Sequence, residues 1–242
     1  MPTVPKWIAN NLERVFRSQF HPVIVVETEY LDKQLKKVRF EGDLSNTSFK
    51  PGNVIEFRVS ETAFRHYTPS FFDKDKGVCE VIFYLHGLGV GSDWANELQK
   101  GDNVKLMGPG GKMSLQKDQR NHFFFGDESS LGMVNFLKNE VEKQGKAYRC
   151  ILELDVDHQS WPTLFNLKTK VVNPSFVYPA KEAIEALKIL NDAEWEQWQQ
   201  ASFYLTGRAK SIQQFRKILK AKGVSSKKIH TEPYWGDNKK GL

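Results

Sequence analysis

Apolar and polar residues alternate in short stretches through the first half of the chain. His21–Tyr30, Lys36–Glu41, Asn53–Ser60, Val78–His86 and Asn103–Met107 are runs rich in Val, Ile, Phe and Tyr, a pattern that predicts strands. Gly42-Asp43, Pro51-Gly52 and Gly101-Asp102 punctuate them. Between His21 and Gly108 only Ser92–Leu98 reads as a helix, and many short strands with turn signals predict an antiparallel barrel. After Gly108-Pro109-Gly110-Gly111 the rhythm changes. Strands are predicted at Asn121–Phe125, Cys150–Val156, Ser202–Thr206 and Lys228–Tyr234. Helices are predicted at Ser130–Lys143, Pro179–Leu190 and Ser211–Lys222, the last burying Ile212, Phe215, Ile218 and Leu219. Strand alternating with helix predicts a parallel sheet. The boundary is therefore expected near Gly110, with a barrel domain over 1–110 and an α/β domain over 111–242. Trp7, Ile8, Leu12, Val15, Phe16 and Phe20 stand at roughly helical spacing with charges between them. They predict a leading amphipathic helix rather than a secretory signal.

Composition narrows the class. Of the 242 residues, 40% are hydrophobic and 12% aromatic, as in a soluble globular chain, and no apolar run reaches the ~20 residues of a membrane span. Cys79 and Cys150 both fall in predicted strands. Two thiols cannot ligate an iron–sulfur cluster and make no disulfide framework, so buried thiols in a reducing, cytoplasmic setting are expected. The net charge is +6, yet Arg208–Leu242 alone carries ten Lys/Arg against two acids. Such a segment is either a solvated basic face or an anion site. No nucleic-acid module pattern accompanies it.

Four segments can carry chemistry. Arg65-His66-Tyr67-Thr68 sets a guanidinium, an aromatic ring and a hydroxyl within four residues. In an extended chain Arg65 and Tyr67 share a face, suited to a pyrophosphate and a planar ring; taken alone, such a tetrapeptide is more commonly a surface Arg beside a packed Tyr. Leu85-His86-Gly87-Leu88-Gly89-Val90-Gly91-Ser92-Asp93-Trp94 runs from a strand through three glycines into a helix start. Glycines admit close approach, and the helix start offers N–H groups to an anion. A glycine-rich turn is the plainer alternative. Gly126-Asp127-Glu128-Ser129 ends a strand, with Ser129 placed to cap the next helix. Thr206-Gly207-Arg208 ends another strand, and ligands of parallel sheets gather at such ends. A rival reading takes His86-Gly87-Leu88-Gly89 as the oxyanion loop of an α/β-hydrolase with Ser129 as nucleophile. Glu128-Ser129-Ser130-Leu131-Gly132 then departs from the Gly-x-Ser-x-Gly elbow at its first position.

In this order, these segments and the terminal Pro233-Tyr234-Trp235-Gly236 resemble the siderophore-interacting protein family of the ferredoxin–NADP reductase superfamily, over about residues 21–236. The resemblance implies an antiparallel Greek-key FAD-binding barrel followed by a parallel-sheet α/β nucleotide-binding domain. It implies that Arg65 contacts the FAD pyrophosphate, Tyr67 lies against the isoalloxazine, and Thr68 hydrogen-bonds near N5. Leu85, His86 and Gly87 would border the ring and ribityl chain. Gly91, Ser92 and Trp94 would hold the pyrophosphate, and Trp235 would approach the flavin. Gly126, Asp127, Glu128, Ser129, Gly207 and Arg208 become candidates for NADH or NADPH. Lys112, Lys239 and Lys240 are candidates for an anionic ferric siderophore or other iron chelate. The implied task is reduction of Fe(III) to Fe(II), with NAD(P)H or a ferredoxin as donor; a flavin reductase serving flavodoxin or ferredoxin is the alternative. Flavin chemistry asks the protein to bind and orient, with no acid–base triad. The chain departs from the family's pattern at Leu88, at Pro69-Ser70 and at Arg208, which stands where an acid is common.

Overall fold

The computed structural model describes residues 19–237 together with residues 5, 7, 11 and 15. The predicted leading helix falls largely outside the described residues, as do Lys239 and Lys240. The chain divides into two compact units between Ser114 and Leu115.

In the first unit, seven antiparallel strands form one sheet: β1 (Phe20–Asp32), β2 (Leu35–Gly42), β3 (Val54–Arg58), β4 (Phe64–Tyr67), β5 (Phe71–Asp73), β6 (Val78–Tyr84) and β7 (Asn103–Gly110). Their order is β4-β3-β7-β1-β2-β6-β5. Within it β7-β1-β2-β6 has the Greek-key arrangement, the last strand returning beside the first. Helix α1 (Val90–Glu97) lies on that return. The edge strands β4 and β5 are joined by only Thr68–Ser70. A flat sheet would hold them roughly 29 Å apart at ~4.8 Å per strand, whereas four chain steps reach at most about 14 Å. The sheet therefore curls into a barrel. Consistently, the Tyr67 ring of β4 meets the Phe83 ring of β6 at 4.8 Å. Alternate residues of β2, Val38 and Phe40, join Phe57, Val81 and Leu106 in the interior, as a two-residue period requires. Strands β4 and β5 escape the periodicity because four and three residues are too few to show it.

In the second unit, five parallel strands take the order β10-β9-β8-β11-β12: β8 (Asn121–Asp127), β9 (Ala147–Glu153), β10 (Lys170–Val172), β11 (Ser202–Arg208) and β12 (Ile229–Trp235). Helices α2 (Leu131–Lys143), α3 (Lys181–Lys188), α4 (Asp192–Gln199) and α5 (Ala209–Ala221) connect them. Phe123–Phe125 of β8 and every residue of β11 are buried, as expected of parallel strands covered on both faces. The order reverses between β8 and β11, and the carboxyl ends flanking such a switch point form the ligand crevice of open α/β sheets. Cys79 and Cys150 are buried free thiols. No described helix is long and apolar enough to cross a membrane.

The Phe125 ring stacks on Phe215 of α5 at 4.3 Å. Phe125→Ala should lower unfolding stability by about 3–5 kcal/mol, read as a shift of the urea midpoint. A loss under about 1 kcal/mol would show that this layer is not close-packed.

Candidate functional site

In the first unit the site grows from the β6–α1 connection. The glycines at 87, 89 and 91 leave this stretch thin. Gly89 is the N-cap of α1 and no side chain caps the helix. Ser92 and Asp93 N–H groups donate back to Gly89 O at 3.0 and 3.2 Å, while helical geometry gives the Val90 and Gly91 N–H groups no intrahelical acceptor. That is the donor arrangement that receives an anion.

Gly91 lets two side chains approach the helix start closely. A Cβ there would lie 2.9 Å from Tyr67 Oη and 3.1 Å from Arg65 Cγ. The two side chains that the two-residue period assigned to one face thus both flank the helix start. His66 points the other way, its Nε2 2.9 Å from Glu56 Oε2. Tyr67 donates from its hydroxyl to Gly91 O at 3.3 Å, and burial pushes its phenol pKa up against the opposing charge of Arg65. Its ring stands 6.1 Å from Trp94, nearly parallel. Arg65 donates from Nη1 to Phe64 O at 2.8 Å.

Thr68 is buried at the β4–β5 corner. Leu85 is buried, its N–H donating to Gln34 O at 2.7 Å. His86 is exposed and accepts the Leu88 N–H on Nδ1 at 3.1 Å, which assigns the ring proton to Nε2. Ser92 Oγ accepts the Gly87 N–H at 3.1 Å and ties the loop closed. Lys112 is exposed in the turn after β7. Arg65, Tyr67, Gly91, Ser92 and Trp94 are therefore gathered at one helix start. The hydrolase alternative fails on topology. Its oxyanion loop would follow β6 of the antiparallel sheet, and Ser129 follows β8 of the parallel one.

In the second unit the strand-end motifs converge on Asp127. Its Oδ1 accepts the Ser129 N–H at 3.0 Å and the Ser129 hydroxyl at 2.5 Å. Its Oδ2 accepts the Arg208 N–H and the Trp235 Nε1–H, both at 2.8 Å. Gly207 has φ +95, and a Cβ there would strike the Asp127 carboxylate. Three segments far apart in sequence thus share one carboxylate. Burial raises its pKa to about 6, against the hydrogen bonds from Ser129, Trp235 and Arg208. Ser129 is not the cap that the sequence predicts: Asp127 caps the turn Glu128–Ser130 that opens α2, its side chain accepting the Ser129 N–H, and the N-cap of α2 itself is Ser130.

Arg208 is buried and its guanidinium is engaged. It forms a bidentate pair with Asp237 at 2.8 and 2.7 Å, donates to Ser175 O at 2.8 Å, and stands 4.5 Å from the centroid of the Phe176 ring. Glu128, buried, accepts the Asp155 N–H at 2.8 Å and holds His158 Nδ1 at 3.1 Å.

Sequence reasoning missed Glu153, which ends β9 in register with Asp127. It is 3% exposed, and its Oε1 has no hydrogen-bond partner. Burial lifts its pKa to about 7 despite a hydrogen bond from Ser211. The predicted strand runs on to Val156 and leaves Glu153 in mid-strand, so nothing in the sequence marked it as the strand end at which it stands.

The two raised carboxyls set a pH dependence. The folded state keeps their protons to a higher pH than the unfolded chain does, so stability falls as pH rises from about 4 to about 7. Glu153→Gln should be more stable than the parent at pH 8 by on the order of 1–3 kcal/mol and indistinguishable from it near pH 4. Equal urea midpoints at both pH values would refute the raised carboxyl.

Residues 33–113 match the family model of the siderophore-interacting FAD-binding domain. The ferric vibriobactin reductase ViuB of Vibrio cholerae is 28% identical over 192 residues, 77% of this chain and 69% of that protein. The NADPH-dependent ferric-chelate reductase of Escherichia coli is 33% identical over 67 residues, 28% of this chain and 26% of that protein. Among solved structures, the siderophore-interacting protein SipS of Aeromonas hydrophila superposes with a TM-score of 0.72 at 18% identity, covering 91% of this chain and 93% of its own. The ferredoxin reductase of carbazole 1,9a-dioxygenase superposes with a TM-score of 0.72 at 18% identity, covering 89% and 69%. The helix start beside Arg65 and Tyr67 lies inside the segment, residues 33–113, that matches the siderophore-interacting FAD-binding domain model, and the chain shares the fold of the siderophore-interacting and ferredoxin reductase structures on which it superposes.

Proposed function

We propose that this chain is an FAD-dependent oxidoreductase that reduces Fe(III) held in a siderophore and so frees Fe(II). The observation that carries the reading is the uncapped start of α1 with Arg65 and Tyr67 packed against Gly91, inside the segment that matches a FAD-binding domain. These residues fit the group. Val90 and Gly91 N–H groups and the Arg65 guanidinium suit a pyrophosphate. Tyr67 and Trp94 offer aromatic surface for a planar ring. Cβ atoms at 87 and 89 would meet nothing within 4 Å, which leaves room for a ligand over the loop.

Bound FAD would supply the exchange between a two-electron donor and one-electron acceptors. One NAD(P)H would then reduce two ferric ions and release one proton. The protein's part is to hold the cofactor and admit the chelate. Thr68, Leu85, His86 and Gly87 would line the ring and ribityl chain, and Lys112 would meet an anionic chelate. The names of the two similar proteins, a ferric vibriobactin reductase and a ferric-chelate reductase, support the substrate class.

For the donor, NADPH has the support of the Escherichia coli protein's name. Gly126, Asp127, Glu128, Ser129 and Gly207, at the switch point of the parallel sheet, would meet the nucleotide. A specific observation favours a second reading, in which a reduced ferredoxin delivers the electrons. The Arg208 guanidinium, which would suit a nucleotide phosphate, is held by Asp237 and the Ser175 carbonyl. Anaerobic stopped-flow mixing of the oxidised protein with NADH, NADPH or reduced ferredoxin separates the donors by the rate at which flavin absorbance bleaches.

The purified protein should be yellow and should turn over a ferric siderophore, read with a ferrous-specific chromophore. A colourless protein that takes up no FAD removes the proposal. Tyr67→Ala and Gly91→Val should each weaken FAD retention at least tenfold, on the order of a lost buried contact plus steric intrusion. Parent-like flavin content in both would count against the cradle.

A further inference from the structure

Lys36, the second residue of β2, is 2% exposed and belongs to none of the motifs that carry the family resemblance. Its ammonium donates to Asn96 O at 2.8 Å and to Leu98 O at 2.7 Å. These are carbonyls of the last turn and C-cap of α1, a helix with no basic residue of its own in that turn. The same ammonium stands 5.2 Å from the centroid of the Tyr30 ring, and Tyr30 donates from its hydroxyl to Asn96 Oδ1 at 2.9 Å. Two residues earlier, Gln34 O accepts the Leu85 N–H at 2.7 Å. The segment from Leu85 to Leu98 is therefore fastened at both ends to the start of β2. Gln34 holds its entrance and Lys36 holds its exit.

Burying an ammonium is costly, and an apolar side chain of similar volume is often as stable or more so. Burial does depress the Lys36 pKa, with Asp102 opposing. What the charge gains is direction. A cation at the carboxyl end of a helix satisfies carbonyls that lack intrahelical donors and complements the helix dipole. In an eight-residue helix the two ends are about 12 Å apart at 1.5 Å per residue, so a fixed exit also fixes the start.

We propose that Lys36 is the positioning residue of the anion cradle, holding the carboxyl end of α1 so that the Val90–Ser92 start stays against Arg65 and receives the flavin pyrophosphate. The inference rests on the FAD reading above. It assigns Lys36 no contact with the flavin.

The test compares two ligands on the full chain after removal of flavin: FAD, and riboflavin, which has the ring but no phosphate. In Lys36→Met the FAD dissociation constant should rise about tenfold, while that of riboflavin stays within about twofold. Should the Met variant fail to fold, Lys36→Gln, which keeps a donor but no charge, is read in its place with a smaller loss of the same FAD-selective kind. A folded variant that binds FAD as the parent does, or that loses FAD and riboflavin equally, overturns the proposal. A parent chain that takes up neither flavin overturns the FAD reading instead.

Discussion

A side chain at residue 91 would press on both Tyr67 Oη and Arg65 Cγ, so Tyr67 and Arg65 keep their places only while that residue is glycine. This single close approach joins the β4 edge of the barrel to the helix that follows β6. It is reached only because the sheet curls, which the three-residue link from Tyr67 to Phe71 enforces. Arg65 and Tyr67 can share a face only because β4 is extended there, paired with β3 through Phe57 and Ile55. Curl, pairing and glycine are thus one constraint seen at three scales. Its product is a short helix start with open N–H donors beside a guanidinium and an aromatic pair.

The second unit solves a different problem, that of keeping three strand ends together. Asp127 receives donors from its own turn, from the end of β11 and from the end of β12. Each bond lowers the cost of burying the carboxylate, yet together they do not cancel it, since its pKa stays raised. Glu153, one strand away and short of a partner at Oε1, adds a second reluctant acid. Buried acids with raised pKa values are a common mark of functional sites, and here they sit at the switch point of the sheet.

The long strands and helices α2, α3 and α5 of the parallel unit were legible in the sequence because their apolar periods run over seven or more residues. The short β5 and β10, of three residues each, leave no period to read. Helix α4 was hidden by its composition, since Asp192–Gln199 has one buried residue, Trp198. At the site, the Arg65–Tyr67 face followed from strand alternation, and the helix start followed from its glycines. What could not be read was partnership across distance. Nothing local links Asp127 to Trp235 or Lys36 to Leu98, and each pair exists only because the sheet brings remote strands together. Arg208 shows the converse: its motif suggested a ligand contact, and tertiary structure engages its guanidinium with Asp237.

The two units consequently divide the electrostatic work. An anionic cofactor needs donors not already spent on the protein, and the start of α1 offers them: its cap is a glycine with no side-chain acceptor, and the cation that stabilises the helix stands at its far end. The carboxyl ends of β8, β9 and β11 offer the opposite, two acids and an arginine whose charge is paired with Asp237. A dinucleotide's phosphates are poorly matched to strand ends with such acids buried beneath them unless the acids are protonated, and their raised pKa values make that progressively easier as pH falls through about 7. Binding of an anionic donor there would thus be linked to proton uptake by Glu153 and Asp127, whereas an electron-carrier protein that avoids these strand ends would bring no such linkage.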